Sequence, residues 1–181
     1  MTIILDPGHG LSNRQEGVFD PGAVSNGIRE ADIVMDWAND IRAFLQCFGH
    51  KVIRTRINNA DPAPLNDRAN IAHDYQADIM LSIHCNAANG KANGTETFYR
   101  GDKNRKLAEA INKSIVDSLG TKDRGVKLES ASQHKRLAIM AFQPCFLIEL
   151  GFIDNAEDRA KLLDPDLRVK ACESLAQIIT S

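Results

Sequence analysis

A glutamate lies in the middle of an apolar segment near the C-terminal end of the chain. Glu149 interrupts the run 145–153, which contains no lysine or arginine that could neutralise it. Burying an ionised carboxylate without a partner costs several kcal/mol or more, so a buried Glu is normally paired or coordinates something. We therefore interpret Glu149 as a candidate for proton transfer or metal binding. Two structural interpretations stay open: the side chain caps a neighbouring loop, or the strand ends before it and leaves it in water.

Two histidines follow other strand-like segments. His9 comes shortly after the apolar run 2–6, and His84 closes the run 78–84. We expect the last strand to end at Glu149. In open α/β sheets, ligands bind beyond the carboxyl ends of the strands. If the three strands are parallel, His9, His84 and Glu149 therefore emerge at the same edge of the sheet.

A second acidic residue, Glu30, is placed near this edge by helical periodicity. Apolar residues recur three, four and seven positions after it, at Ile33, Val34 and Trp37. Glu30 therefore lies in the first turn of a helix, on the face that packs against the sheet. The helix N-terminus favours its charge by about 1 kcal/mol at most, which is too little to explain burial. A bound cation is a better explanation.

Two histidines and two carboxylates have the composition of a catalytic zinc site. Such a site uses three protein ligands and leaves a fourth position for water, as in the His₂Glu class. The ion lowers the pKa of this water to about 7 and polarises a carbonyl, while a glutamate that does not bind the metal moves protons. The predicted chemistry is hydrolysis of an amide or an ester. The alternative is that the histidines only make hydrogen bonds in the core, without a metal.

Other residues with suitable chemistry have weaker positions. Glu16 could replace Glu30 as a ligand, but its loop gives no reason for it to approach the histidines. His50 and His73 are predicted to be surface residues, whereas His134 lies in a polar loop from which it could contact a substrate.

Neighbouring residues have structural interpretations. Cys85 should point to the opposite face of its strand from His84, which makes it a poor ligand. We expect the pairs Thr55-Arg56 and Asp67-Arg68 to form ion pairs that anchor loops.

The elements that must position these residues alternate between strand and helix. This order predicts an α/β sandwich with a largely parallel central sheet. The predicted helices cover 29–48, 65–76, 103–119 and 166–179, and the predicted strands cover 2–6, 50–55, 78–84, 94–99 and, after a loop that reaches residue 132, a segment that runs to 149.

The composition is that of one ordinary globular domain. The chain has 181 residues, of which 43% are hydrophobic and 25% charged, and a net charge of −2. We therefore expect no nucleic-acid partner and, because no apolar stretch could span a bilayer, no membrane insertion. Four scattered cysteines without a C-x-x-C pair argue against disulfides and a thiolate zinc site. The chain as written shows no export signal.

These motifs resemble one known family, the zinc-dependent N-acetylmuramoyl-L-alanine amidases of the amidase 3 type. The resemblance covers nearly the whole chain, so that residues 1–181 form a single amidase catalytic domain. The motifs that carry it are, in order, Leu5-Asp6-Pro7-Gly8-His9-Gly10, Asp20-Pro21-Gly22-Ala23, Glu30, Thr55-Arg56, Arg68-Ala69-Asn70, Ala77-Asp78, Ser82-Ile83-His84-Cys85-Asn86-Ala87, Gly94-Thr95-Glu96-Thr97, Arg124-Gly125-Val126-Lys127 and Ile148-Glu149-Leu150-Gly151-Phe152-Ile153-Asp154-Asn155.

The resemblance implies a fold, a ligand set and a reaction. The implied fold is a central mixed, mostly parallel six-stranded sheet flanked by helices on both faces. His9, Glu30 and His84 would bind one Zn²⁺, and Glu149 would act as general base and then as general acid. The partner would be peptidoglycan, cut at the amide between the lactyl group of N-acetylmuramic acid and the L-alanine of the stem peptide. We expect a monomer.

The chain departs from the family pattern at two places. Cys85 stands where relatives commonly have a small residue such as alanine, which affects packing rather than the ligand set. The connection between Tyr99 and Lys106 is short, whereas relatives involved in division carry a long insertion there, with a helix that blocks the zinc site. We therefore predict an open site without an inhibitory helix.

The resemblance leaves the route to the cell wall and the exact reaction open. A phage or prophage endolysin would stay cytoplasmic until a holin releases it; the alternative is an exported protein of which this chain is a part. Two other functions are also compatible with the motifs: a peptidoglycan-binding module without turnover, and a zinc peptidase that cuts within the stem peptide.

Overall fold

The computed structural model describes residues 1–181, with ten strands and five helices. The strands are β1 (Thr2–Pro7), β2 (Gly10–Leu11), β3 (Phe19–Asp20), β4 (Val24–Ser25), β5 (Ile28–Arg29), β6 (Lys51–Arg54), β7 (Ile79–Asn86), β8 (Thr95–Tyr99), β9 (Asp123–Leu128) and β10 (Cys145–Phe152). The helices are α1 (Glu30–Cys47), α2 (Leu65–Asp74), α3 (Arg105–Leu119), α4 (Ala156–Leu163) and α5 (Pro165–Thr180), and three short 3-10 turns cover Asp102–Asn104, Glu129–Ala131 and Ala138–Ala141.

Six strands form the central sheet in the order β6-β1-β7-β10-β8-β9. All neighbouring pairs are parallel except β10 and β8, which are antiparallel. The predicted mixed, mostly parallel six-stranded sheet is confirmed. The four remaining strands form two small hairpins, β2-β3 and β4-β5, in the long loop between β1 and α1.

The two faces of the sheet are covered unequally, as strand β7 shows. Ile79, Leu81 and Ile83 point into the larger core, which is shared with α1, α3 and α5. Met80 points to the other face, where α2 and the turn Ala138–Ala141 cover only part of the sheet. Because successive side chains alternate between faces, Ser82 and His84 point to this second face as well. The polar residues at the strand ends therefore project on the thinly covered side.

Helix α1 is fixed firmly because most of one side is buried. Ile33, Val34 and Trp37 are at most 3% exposed, and the Trp37 indole N–H donates to the carbonyl of Leu162 at 3.1 Å. Glu30 is the first residue of this helix. Packing of α1 on the sheet therefore fixes where its carboxylate lies.

The structure corrects the sequence predictions in the C-terminal half. The predicted helices and strands are all present with ends within two residues, except that the last strand begins only at Cys145 and continues through Glu149 to Phe152. Strand β9 falls in a segment predicted as loop, and helix α4 was not predicted. β9 is an edge strand with charged residues and a glycine, so it lacks the apolar run that marks a buried strand.

The connection from β8 to α3 is short. Only residues 100–104 link the two elements, and Asp102–Asn104 form a single 3-10 turn. None of the helices combines the length and the apolar character needed to cross a membrane.

Candidate metal centre and cleft

Three side chains from separate elements converge at the carboxyl ends of β1 and β7. His9 Nε2 and His84 Nδ1 each lie 3.0 Å from the same oxygen of Glu30, Oε1. One ligand atom of each residue lies within 4.8 Å of the others. The structure thus brings together the three residues predicted as metal ligands.

The loop that carries His9 is held by buried arginines. Arg56 donates to the carbonyls of Pro7 and Gly8 at 2.9 and 2.7 Å, and Arg68 donates to the carbonyl of His9 at 2.6 Å. His9 itself has a φ of 62°, in the left-handed region that few residues other than glycine adopt. The arginine hydrogen bonds therefore hold a backbone conformation that the loop would not favour alone.

Asp20 fixes the orientation of the His9 ring. Its Oδ2 lies 3.1 Å from Nδ1 of His9 and accepts a hydrogen bond from Asn13 at 2.6 Å, while its Oδ1 accepts the backbone N–H of Gly22 at 2.9 Å. A carboxylate at one ring nitrogen keeps the proton there and leaves the lone pair of the other nitrogen for a metal. Burial lowers the pKa of His9, but hydrogen bonds and charge from Glu30 and Asp20 outweigh it, so the pKa lies above its usual value.

Glu30 is buried and fully hydrogen-bonded. It is 3% exposed; Oε1 also accepts the backbone N–H of Cys85 and Oε2 accepts that of Ala23, both at 2.9 Å. Burial raises its pKa, but the hydrogen bonds from His84 and His9 hold the pKa of Glu30 well below its usual range. The group is therefore an ionised carboxylate between two imidazoles. This donor set fits a His₂Glu zinc site.

Two glycines leave room for the cluster. A Cβ atom on Gly8 would lie 2.3 Å from Cε1 of His84. A Cβ atom on Gly22 would lie 2.6 Å from Oε2 of Glu30 and 2.7 Å from Cδ2 of His9. The candidate ligands thus pack directly on bare backbone, and any larger side chain at either position would displace them.

Glu149 lies beside the cluster on β10, between His84 on β7 and Glu96 on β8 in the strand register. Its side chain is half-buried, and Oε2 is inaccessible and has no hydrogen-bond partner. It therefore does not cap a loop. Burial, followed by the negative charges of Glu30 and Glu96, raises the pKa of Glu149 well above its usual value. A carboxyl group in such surroundings holds a proton more readily than an exposed one, which suits a proton-transfer role.

A cleft of about 800 Å³ opens over this face of the sheet and includes both the cluster and Glu149. Phe98 and Leu147 form an apolar part of its floor. Its volume is in the range of ligand sites, roughly 300–1,000 Å³. The basic side chains that line it at the β9 end are Arg124, Lys127 and Arg136.

The other candidates lie outside the cluster. Glu16 is exposed and lines a separate, smaller pocket. His50 is half-buried and bonded to Thr180, whereas His73 is exposed and packs edge-on against Phe142. His134 is exposed and lines the cleft, as its loop position allowed.

Cys85 is buried on the opposite face from His84, as predicted, and burial raises the pKa of its thiol.

Arg56 forms no ion pair, contrary to prediction, because backbone carbonyls and Asn59 accept its hydrogen bonds. Arg68 pairs with Asp6 rather than with Asp67.

Sequence reasoning missed Asp6, Asp20 and Glu96 as parts of the site. Asp6 and Glu96 lie on strands, at most 4% exposed, and the same cost of burying a charge that singled out Glu149 applies to them. Asp20 lies on β3 of a small hairpin, in a segment that was predicted as loop, where sequence alone gives no measure of its distance from His9.

Comparisons with known proteins agree with the geometry. The Amidase_3 family, described as N-acetylmuramoyl-L-alanine amidase, matches residues 3–181. The chain is 35% identical over 179 residues to N-acetylmuramoyl-L-alanine amidase LytC of Bacillus subtilis (strain 168), covering 96% of this chain and 34% of LytC. It is 33% identical over 173 residues to the endolysin of Bacillus phage SPP1, covering 91% of this chain and 59% of the endolysin. The chain thus spans about a third of the length of LytC.

A solved structure shows the same fold. The catalytic domain of CwlV, an N-acetylmuramoyl-L-alanine amidase from Bacillus (Paenibacillus) polymyxa var. colistinus, superposes with a TM-score of 0.85 at 26% identity. The match covers 99% of this chain and 96% of that domain.

Proposed function

The chain belongs to the N-acetylmuramoyl-L-alanine amidase family, and we propose that it hydrolyses the amide bond between the lactyl group of N-acetylmuramic acid and the L-alanine of the peptidoglycan stem peptide. The observation that carries this proposal is the unpartnered carboxyl group of Glu149 beside the cluster of His9, Glu30 and His84. A proton-transfer group next to a three-ligand metal site is the arrangement that metal-assisted amide hydrolysis requires.

The cofactor proposed for this site is one Zn²⁺ ion, held by His9, Glu30 and His84. The fully hydrogen-bonded, ionised Glu30 and the Asp20 partner of His9 support this assignment. When bound, zinc supplies a Lewis acid for the carbonyl and lowers the pKa of a water molecule to about 7.

Glu149 is proposed as the residue that moves the proton. Its carboxylate takes a proton from the attacking water as the carbon–oxygen bond forms. The same carboxyl group then gives this proton to the alanine nitrogen as the carbon–nitrogen bond breaks, which leaves a lactyl carboxylate and a free amine. The raised pKa of Glu149 suits a group that must hold a proton between these two steps.

Product analysis tests the proposal. The purified chain is incubated with purified peptidoglycan, and the released peptides are sequenced by mass spectrometry. The proposal predicts intact peptides that begin with a free L-alanine amine, loss of activity after chelation and recovery with added zinc. Cuts between stem-peptide residues would show a zinc peptidase instead. Tight binding without any cut would show a module without turnover.

The proposed oligomeric state is a monomer. The exposed large apolar residues support this because they belong to separate elements and segments of the chain; they include Val24, Phe48, Ile57, Leu128 and Val169. Light scattering during size-exclusion chromatography would check it, and a mass near twice 19.9 kDa would contradict it.

A further inference from the structure

Beside Glu149, Glu96 holds two basic side chains in the cleft. Glu96 is 4% exposed, and its Oε2 accepts hydrogen bonds from Arg124 Nε at 2.7 Å and Lys127 Nζ at 2.5 Å. Burial raises the pKa of Glu96, but the hydrogen bonds from Lys127 and Arg124 keep it below its usual value. The three side chains of Glu96, Arg124 and Lys127 therefore carry two positive charges and one negative charge. One positive charge is left without a partner among them.

Both cations have donors to spare. An ammonium group has three N–H donors, and Lys127 uses one of them in its hydrogen bond to Glu96. The guanidinium of Arg124 lies 4.9 Å over the ring of Phe152, and its Nη2 has no partner in the protein. The two side chains are 28% and 32% exposed and line the cleft. They are thus held in place by one buried carboxylate and remain accessible to a second, external one.

The strand order gives the distance from these cations to the reacting bond. Glu149 is on β10, Glu96 is opposite it on β8, and the cations are on β9, one strand further. Two strand spacings amount to about 10 Å. An extended peptide covers about 3.4 Å per residue, so about three residues span this distance.

The charges of the cleft give the direction in which a substrate lies. Arg124 and Lys127 place their spare positive charge at the β9 end of the cleft, and this charge attracts a carboxylate. In the substrate of the proposed function, the lactyl carboxyl group is consumed in the amide that is cut, so the free carboxylates lie on the peptide side. We propose that Arg124 and Lys127, positioned by Glu96, bind a carboxylate on the second or third residue of the stem peptide. This assignment rests on the proposed amidase function for the identity of the substrate.

Matched substrates test the subsite. Three synthetic muramyl peptides are compared: one with free carboxylates on residues two and three, and two in which one of these groups is a carboxamide. The wild-type chain should cut the free form with a kcat/KM at least about tenfold above that of one carboxamide form, since hydrogen bonds to charged groups are among the stronger ones.

Variants assign the preference to its residues. The ratio compared is kcat/KM on the carboxylate substrate divided by kcat/KM on the carboxamide substrate. Lys127→Met should reduce this ratio by about tenfold, and Lys127→Glu should bring it below one. Lys127→Arg should leave the ratio above one, because it keeps the positive charge. Lys135→Met is the matched control, because Lys135 is exposed and does not line the cleft. An equal kcat/KM on all three substrates for the wild-type chain, or an unchanged ratio in Lys127→Met, would overturn the proposal.

A binding measurement separates this proposal from the proposed function. Calorimetric titration with the free stem peptides, without the sugar, should show tighter binding of the carboxylate form to the wild-type chain and no such difference in Lys127→Met. If the chain binds the carboxylate form more tightly but cleaves nothing, the proposed amidase function is contradicted and the proposed subsite is supported. If the chain cleaves the substrate but binds and cuts the carboxylate and carboxamide forms equally, the proposed subsite is contradicted and the proposed amidase function is supported.

Discussion

Two glutamates of the cleft have opposite surroundings. Every oxygen of Glu30 has a hydrogen-bond partner, and its pKa is held low by His84 and His9 against the effect of burial. Oε2 of Glu149 has none, and burial together with Glu30 and Glu96 raises its pKa. When the surroundings of two carboxyl groups shift their pKa values in opposite directions, the two groups are suited to different chemical roles. Glu30 is suited to hold a cation permanently, and Glu149 to exchange a proton.

Replacing Glu149 with Gln keeps its shape and removes its proton-transfer capacity. We expect kcat to fall by about 10²–10⁴-fold, the range measured for the loss of a general acid–base group. Zinc content, measured by elemental analysis, should stay at one ion per chain because Glu149 is not a proposed ligand. Glu16→Gln, at an exposed position outside the cleft, is the control. Full turnover by the Glu149 variant, or loss of its zinc, would contradict the assigned role.

At the scale of elements, a loop glycine determines whether the ligands can meet. Gly22 has a φ of 67°, and a Cβ atom there would contact Glu30 and His9. Gly22→Ala should weaken zinc binding by at least about tenfold, as the loss of ligand support does at other zinc sites. Competition with a chromophoric chelator measures this affinity.

Gly17 provides the matched control for this substitution. Its φ of 70° is nearly the same, but a Cβ atom there would meet nothing within 4 Å. Gly17→Ala therefore has the same backbone cost, about 1–2 kcal/mol, without the clash. Equal zinc affinities of the two variants would show that the close approach at Gly22 does not matter.

A buried aspartate ties together the elements that carry the site. Asp6 on β1 accepts hydrogen bonds from Thr55 at 2.7 Å, from Arg68 on α2 at 2.9 Å and from Ser82 on β7 at 2.6 Å. Burial raises its pKa, but Arg68, Ser82 and Thr55 outweigh this, so the pKa of Asp6 lies below its usual value. The network therefore stabilises the fold only while Asp6 is ionised.

Asp6→Asn should lower the free energy of unfolding at pH 7 by about 3–5 kcal/mol, because Arg68 would lose its buried partner. The folded pKa lies below the unfolded value of about 3.9, so the contribution of Asp6 is present above that pH and is lost as the pH falls through the folded pKa. The difference between wild type and variant should therefore narrow below pH about 4.

Urea unfolding at a series of pH values, with a chelator present so that metal binding does not contribute, measures this difference. Asp36→Asn, on the exposed side of α1, should change stability by less than about 0.5 kcal/mol. A difference between wild type and Asp6→Asn that grew at acid pH would contradict the sign.

The sequence predicted those elements whose burial is visible in their composition. Apolar runs identified β1, β7 and most of β10, and helical periodicity placed Glu30 correctly in the first turn of α1. Strand β9 was missed because an edge strand needs few apolar residues. Asp20 was missed because it meets His9 only after the small β2-β3 hairpin folds back.

At the scale of the whole molecule, the connection between β8 and α3 comprises only residues 100–104, with one 3-10 turn. We expect the purified chain to cut peptidoglycan on its own. Turbidity loss of a peptidoglycan suspension measures this basal activity, with Glu149→Gln as the inactive control. A strict requirement for an added activator protein would contradict the prediction.

The antiparallel pairing of β10 with β8 divides the sheet into two parts. Substitutions in one part can accumulate without affecting the other. The candidate ligands come from one part, near β1, α1 and β7, while the cations of the cleft come from β9 in the other part, which has a neighbour on one side only. Substitutions on β9 disturb one strand pairing and none of the ligands. Evolution, or protein engineering, can therefore exchange the residues proposed to select the substrate while the residues proposed to perform the reaction stay unchanged.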